Sequence, residues 1–142
     1  MKKINLSYFA GIFDGEGSIS LSKTNSSKSN TFVLYVCVGN TNEWIIQQLK
    51  FCFGGIVTYQ EPKGNKKPRW MWTLQAQKAL GFLVLIEPYL HIKRPQAEIA
   101  IRFQKHKRRT GVYSPPQDYL DLEKELKEAM SRLNHRGKIK SL

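Results

Sequence analysis

Two acids, Asp14 and Glu16, alternate with two glycines, Gly15 and Gly17, at the end of the short apolar stretch Phe9-Ala10-Gly11-Ile12-Phe13. Carboxylates are hard oxygen donors, and their chemistry suits a divalent cation held against phosphate. The apolar stretch reads as a helix, so the acids fall at its C-terminal end, where the macrodipole is already negative. That placement is poor for stability and argues for a function. Two solvated acids in a helix–strand turn are the plain alternative.

The chain around these acids is basic. It has 142 residues with 23 Lys and Arg against 11 Asp and Glu, a net charge of +12. The charge is also uneven. Asp118, Asp121, Glu123, Glu125 and Glu128 sit in one segment, leaving 21 bases against six acids elsewhere. This asymmetry favours a polyanionic partner, nucleic acid ahead of an anionic membrane. The length suits one domain with a real core, and a hydrophobic fraction of 41% argues for a folded chain. Cys37 and Cys52 form no CxxC pair and read as half-buried thiols, neither metal ligands nor a disulfide. The start Met1-Lys2-Lys3 lacks an apolar signal region, and the run from Ala79 to Ile86 is too short to span a bilayer. The expectation is an intracellular protein, not secreted, with no membrane partner.

The acids need elements to position them. Residues 7–14 read as a short helix with Ser7 as its cap. Gly11 and Gly15 are four apart, hence on one face, where another backbone can approach. The period then changes to two. Ile19 and Leu21 alternate with Ser18, Ser20 and Ser22 as a half-buried strand, and Asn25 to Asn30 reads as a hairpin tip. A second strand covers about Thr31 to Gly39, with Phe32, Leu34, Val36 and Val38 on the core face. Asn40 and Glu43 are spaced as a capping box for a helix with the stripe Ile45, Leu49, Cys52 and Phe53, ended by Gly54-Gly55. Two more strands, about Ile56 to Gln60 and Arg69 to Leu74, flank the turn Pro62 to Pro68. Trp70, Trp72 and Leu74 face the core. An apolar helix, about Gln77 to Glu87, reads as covered on several sides and stops at Pro88. Pro95 opens a helix that ends in the basic cluster Lys105, Lys107, Arg108, Arg109. After Ser114-Pro115-Pro116 comes a last helix with the stripe Leu122, Leu126, Ala129, Met130 and Leu133, then a basic tail. The order αββαββα with added C-terminal helices implies an α+β fold, one antiparallel sheet backed by helices.

With this order in place, residues Phe9 to Gly17 resemble the motif of the single-motif LAGLIDADG homing endonucleases. Asn40-Thr41, Gly54-Gly55, and Ile86-Glu87-Pro88-Tyr89-Leu90 with Lys93 and Gln96-Ala97 extend the resemblance in the family's order. It covers a core of about residues 6–103, with a looser match in the extension of about 104–142, within a single domain 1–142. It implies that the motif helices of two copies pack together and that two sheets form a saddle on DNA. It also implies that the acids bind divalent metal at the scissile phosphates. Hydrolysing two strands needs two acidic centres, and this chain has one motif. A homodimer supplies the second and matches the two-fold symmetry of a duplex.

On this resemblance Glu16 is the metal ligand, joined by the Gly15 carbonyl, and Mg²⁺ is the implied ion, with Mn²⁺ or Ca²⁺ substituting for binding. Lys93 matches the active-site lysine, although a lysine in such a loop is ordinarily just surface. Asn40 sits near the water-positioning polar residue and serves equally as a helix cap. Asp14 caps or orients the helix end. The dimer interface would take Phe9, Gly11, Ile12, Asp14 and Gly15. DNA would meet the non-core strand residues Ser18, Ser20, Ser22, Tyr35, Thr58, Gln60, Arg69 and Thr73. The lysines Lys23, Lys28, Lys63, Lys66 and Lys67, with Lys105, Arg108 and Arg109, would meet mostly phosphates. The implied activity is a double-strand DNA endonuclease cutting a long, nearly palindromic site and leaving 3′ overhangs. Rivals are an RNA-splicing maturase, which would make RNA a partner, or a non-cleaving DNA-binding regulator on the same fold.

Overall fold

The computed structural model describes residues 5–23, 32–108 and 117–135. The hairpin tip, the Ser114-Pro115-Pro116 start and the tail after His135 lie outside these residues, as do Lys28 and Arg109. Helix α1 spans Leu6–Glu16. Its cap is Asn5, not Ser7: Asn5 Oδ1 accepts from Tyr8 N at 3.0 Å and from Ser7 Oγ at 2.9 Å. The chain runs directly from α1 into β1 (Gly17–Lys23) and returns as β2 (Phe32–Asn40). Helix α2 (Glu43–Phe53), β3 (Ile56–Gln60), β4 (Arg69–Gln75) and α3 (Ala76–Ile86) follow. A 3-10 turn, Glu87–Tyr89, carries Pro88, and α4 (Arg94–Arg108) and α5 (Gln117–His135) complete the order. The expected α+β architecture is therefore present.

The sheet is antiparallel with strand order β1-β2-β4-β3. The alternation read from sequence sets its register. Ile19, Leu21, Leu34, Val36, Val38, Trp72 and Leu74 are buried on the face covered by the helices. Edge-to-face aromatic contacts lock the helices to that face. Phe82 of α3 meets Phe13 of α1, Phe53 of α2 and Trp72 of β4 at centroid distances of 5.4, 4.8 and 5.1 Å. Gly54 and Gly55 have φ of 76° and 100°, which ends α2 and lets Gly55 lie against β4.

Several local expectations change. Asn40 does not begin a helix. It is the last residue of β2, because pairing with Trp70 extends the strand that far. The cap of α2 is Asn42, whose side chain accepts from Trp44 N at 3.0 Å. Ile46 joins Ile45 and Leu49 in the buried stripe, while Cys52 and Phe53 are half-buried. Helix α3 is not covered all round, since Val84 and Leu85 are exposed. Arg94 is not pushed out of the helix and opens α4.

Helix α5 packs on α4 and β1. Its acids do not all face water. Glu123 is 1% exposed; one oxygen accepts from Phe32 N at 3.3 Å and the other lies 3.7 Å from Lys107 Nζ. Lys107 also donates to the Phe32 carbonyl. This cluster pins the start of β2 to both C-terminal helices. At the other end of α5, Asn134 Nδ2 donates to the Ile19 carbonyl at 2.9 Å, on the free edge of β1.

Candidate active site and nucleic-acid interface

An acid at the end of its own helix is placed against its own dipole, and the structure shows what offsets this. The carboxylate of Asp14 faces the start of α4. Its Oδ2 accepts from His91 N at 2.8 Å, and its Oδ1 accepts from Ile92 N at 3.1 Å and Lys93 N at 2.9 Å. Ala97 N donates to the Lys93 carbonyl, so these amides lead into the positive end of α4. The return contact is Lys93 Nζ, which donates to the Asp14 carbonyl at 2.9 Å in the last turn of α1. Each helix end supplies the charge that the other end lacks. Asp14 thus orients a helix end as expected, but chiefly the N-terminus of α4.

Glu16 is free of such duties. It is exposed, with no hydrogen bond or ion pair among the described residues. One step before the Gly17–Val38 pair, it falls level with Gly39. It borders a hollow with Gly39, Asn40, Thr41, Lys66, Lys67 and Arg69. Asn40, though not a helix cap, therefore shares a site with Glu16. Its Oδ1 accepts from Asn42 N at 2.7 Å, which leaves its amide nitrogen uncommitted. Lys93 lies in a neighbouring hollow with Ser18, Ser20, Gln96 and Asn134. The two hollows have no lining residue in common, and Lys93 Nζ contacts the α1 end at the Asp14 carbonyl.

Three cations around one carboxylate favour an anion. A lone Mg²⁺ gains little there until a phosphate offsets the positive charge. The donors present, a carboxylate oxygen and main-chain carbonyls of the last turn, are the hard oxygens Mg²⁺ prefers. Among the described residues no three His, Cys, Asp or Glu side chains gather as a metal site. One carboxylate and main-chain carbonyls are what the chain offers such an ion at this point.

Register places the eight strand residues singled out for DNA on one face. Ser18 and Ser20 pair with Cys37 and Tyr35, Cys37 pairs with Thr73, and Gln60 pairs with Arg69. Ser22 and Thr58 share this side, which no helix covers. Lys23 is exposed at the end of β1, and Lys63, Lys66 and Lys67 are exposed in the β3–β4 turn. Lys105 lines a groove with Val84, Glu87 and Arg102 between α3 and α4, on the helical side. Its position on the turn of α4 points it away from the open face. Arg108 ends α4.

The proposed interface set also divides. Phe9 is 6% exposed and packs edge-to-face on Phe53 at 5.2 Å, so the chain's own core uses it. Asp14 is occupied by α4. Ile12 is half-buried against the core. Gly11 and Gly15 are exposed, and a Cβ built on either meets nothing within 4 Å. With Ser7 and Tyr8 they form an open face of α1. Gly39, Thr41, Gln96 and Asn134 were not expected at the site. A glycine inside an apolar strand signals close approach, and this signal alone would have flagged Gly39.

No family model matches the sequence, and no curated protein matches it. Solved structures do. The homing endonuclease I-CvuI, in complex with its target in the presence of Ca, superposes with a TM-score of 0.74 at 18% identity, covering 96% of this chain and 85% of that one. The fold is that of the LAGLIDADG homing endonucleases. The archaeal intron-encoded homing endonuclease I-Vdi141I, complexed with DNA, gives 0.76 at 14% identity over 93% and 85% of the two chains. The LAGLIDADG homing endonuclease I-GzeII, in complex with its DNA target, gives 0.72 at 14% identity. There the homing-endonuclease fold of this chain covers 90% of itself and 45% of its neighbour. I-CvuI has also been crystallised on DNA in the presence of Mg.

If Asp14 holds the start of α4, Asp14→Ala exposes three amides. Hydrogen exchange at His91, Ile92 and Lys93 should then speed up, with a stability loss of about 1–2 kcal/mol, typical of a lost cap. Unchanged exchange at these amides would remove the role.

Proposed function

We propose that this chain is a site-specific double-strand DNA endonuclease of the LAGLIDADG family, working as a homodimer with a divalent metal. The observation that carries the proposal is Glu16, an uncommitted carboxylate in a hollow with Lys66, Lys67 and Arg69 at the end of an uncovered sheet face. The fold shared with DNA-bound homing endonucleases supports DNA as the partner. Among the described residues no helix is long and apolar enough to cross a membrane.

In this reading Glu16, with a carbonyl of the α1 end such as that of Gly15, holds the metal. When bound, Mg²⁺ would polarise a phosphate oxygen and lower the pKa of a water. The chain's own residues do the rest. Lys63, Lys66 and Lys67 bind the backbone, Asn40 orients water through its free amide, and Lys93 holds the α1 end in place. Ser18, Ser20, Ser22, Tyr35, Thr58, Gln60 and Thr73 face the grooves, where short polar side chains read bases partly through water. The target would be long and nearly palindromic, cut with 3′ overhangs.

One carboxylate per copy calls for a second copy. The coverage of I-GzeII supports this, because this chain spans just under half of that protein. The open Gly11–Gly15 face would be the seam, with Tyr8 at its margin. The domain is taken as 1–142, acting on DNA inside the cell.

Two outcomes test the proposal. Glu16→Gln should bind duplex targets with wild-type affinity and lose cleavage by at least about a hundredfold, in line with a lost electrostatic group; cleavage near the wild-type rate would remove Glu16 from the centre. Gly11→Leu should stabilise the isolated helix by up to about 1 kcal/mol, because glycine is a poor helix former and the site is open. In sedimentation it should nevertheless run as a monomer. An intact dimer would place the seam elsewhere.

A further inference from the structure

We infer that Arg69, seated on Gly39, binds the scissile phosphate and does not read bases. The inference rests on the endonuclease reading and assigns this arginine a place at its reacting centre. Gly39 pairs with Met71, so Arg69 is its diagonal neighbour on the same face, within reach of a long side chain. A Cβ built on Gly39 would lie 2.0 Å from one Arg69 terminal nitrogen, 2.9 Å from Cζ and 3.1 Å from Nε. All three nearest atoms belong to the guanidinium, so the edge formed by its terminal nitrogen and Nε rests against the glycine. This contact also explains why Gly39 is buried on an otherwise open face.

A base-reading arginine must stand out from its strand to reach a groove edge. Arg69 instead lies down across the adjacent strand, toward the hollow that Glu16 borders. It has no hydrogen bond and no ion pair among the described residues, Glu16 included. Its planar fork is uncommitted and matches two oxygens of one phosphate. Lys66 and Lys67 border the same hollow, so its charge suits a phosphodiester already bearing one negative charge.

Hydrolysis adds further charge at this point. The water oxygen forms a bond to phosphorus and the P–O3′ bond breaks. The water's proton passes to solvent, and the departing 3′ oxygen takes a proton from solvent. In between, charge gathers on the non-bridging oxygens. A fixed cation 3 Å or so away stabilises that state without moving a proton, since arginine stays protonated.

Two variants test this on the full-length protein with a duplex target selected from a randomised library. Arg69→Gln should lower the single-turnover cleavage rate about a hundredfold. It should weaken binding about equally for all sequences and reduce the slope of log affinity against log salt by about 0.9, the mark of one lost phosphate contact. Gly39→Ala keeps every charged group but fills the seat. Only the movable end of a side chain opposes it, so it should fold, and it should slow cleavage while base preference is kept. Arg69→Gln that relaxes preference at one base pair, with rate and salt slope unchanged, would make Arg69 a base reader. Gly39→Ala cutting at the wild-type rate would show that the seat has no role. If the wild-type protein binds but never cuts, the endonuclease reading fails while the salt slope still decides the phosphate contact.

Discussion

The structure depends on a reciprocal contact between two helix ends. Asp14 at the negative end of α1 accepts three amide protons at the positive end of α4. Lys93 from the start of α4 returns a cation to the α1 carbonyl. Each charge would be poorly placed on its own helix and is well placed against the other. The contact joins residues 79 positions apart and fixes the end of α1 against the rest of the fold. Glu16, two residues on, is then held at the mouth of the sheet without making a contact of its own. Of these two acids, Asp14 is held by three main-chain amides and Glu16 is left uncommitted.

That division governs the surroundings. The aromatic cluster around Phe82 holds the buried side of α1, while Gly11 and Gly15 leave its other side open. β1 and β2 leave that junction and carry serines and Tyr35 onto the uncovered face. β4 brings Arg69 across Gly39 to the same end. A carboxylate among three cations is an unfavourable place for a bare metal ion and a favourable one for metal and phosphate together.

Much of this was legible in the sequence because it depends on local pattern. Alternation in Ile19–Leu21, Leu34–Val38 and Trp70–Leu74 placed each side chain on its face, so the strand residues singled out for DNA share one surface. The Gly54-Gly55 stop and the bounds of β3 were equally local. Local pattern does not reach placements that a distant partner decides. Asn40 and Asn42 both suit a helix cap, and only pairing with Trp70 keeps Asn40 in the strand. Phe9 and Asp14 sit in the motif, but Phe53 and the 91–93 amides claim them. Lys105 belongs to a basic run whose direction depends on the phase of α4. The burial of Glu123 against Phe32 and Lys107 breaks the rule that an acid-rich helix turns its acids to water. Nothing in the sequence around it marks that exception.

The central claim is that each copy supplies one Glu16 and that each Glu16 serves one strand. A mixed dimer tests it most directly: one wild-type copy and one Glu16→Gln copy, isolated through two different tags and given a supercoiled plasmid carrying a selected target with Mg²⁺. Nicked circles that do not go on to linear product are expected, because only one of the two centres retains its carboxylate. Linear product at the wild-type rate would contradict it, showing that the cut does not depend on one acid from each copy.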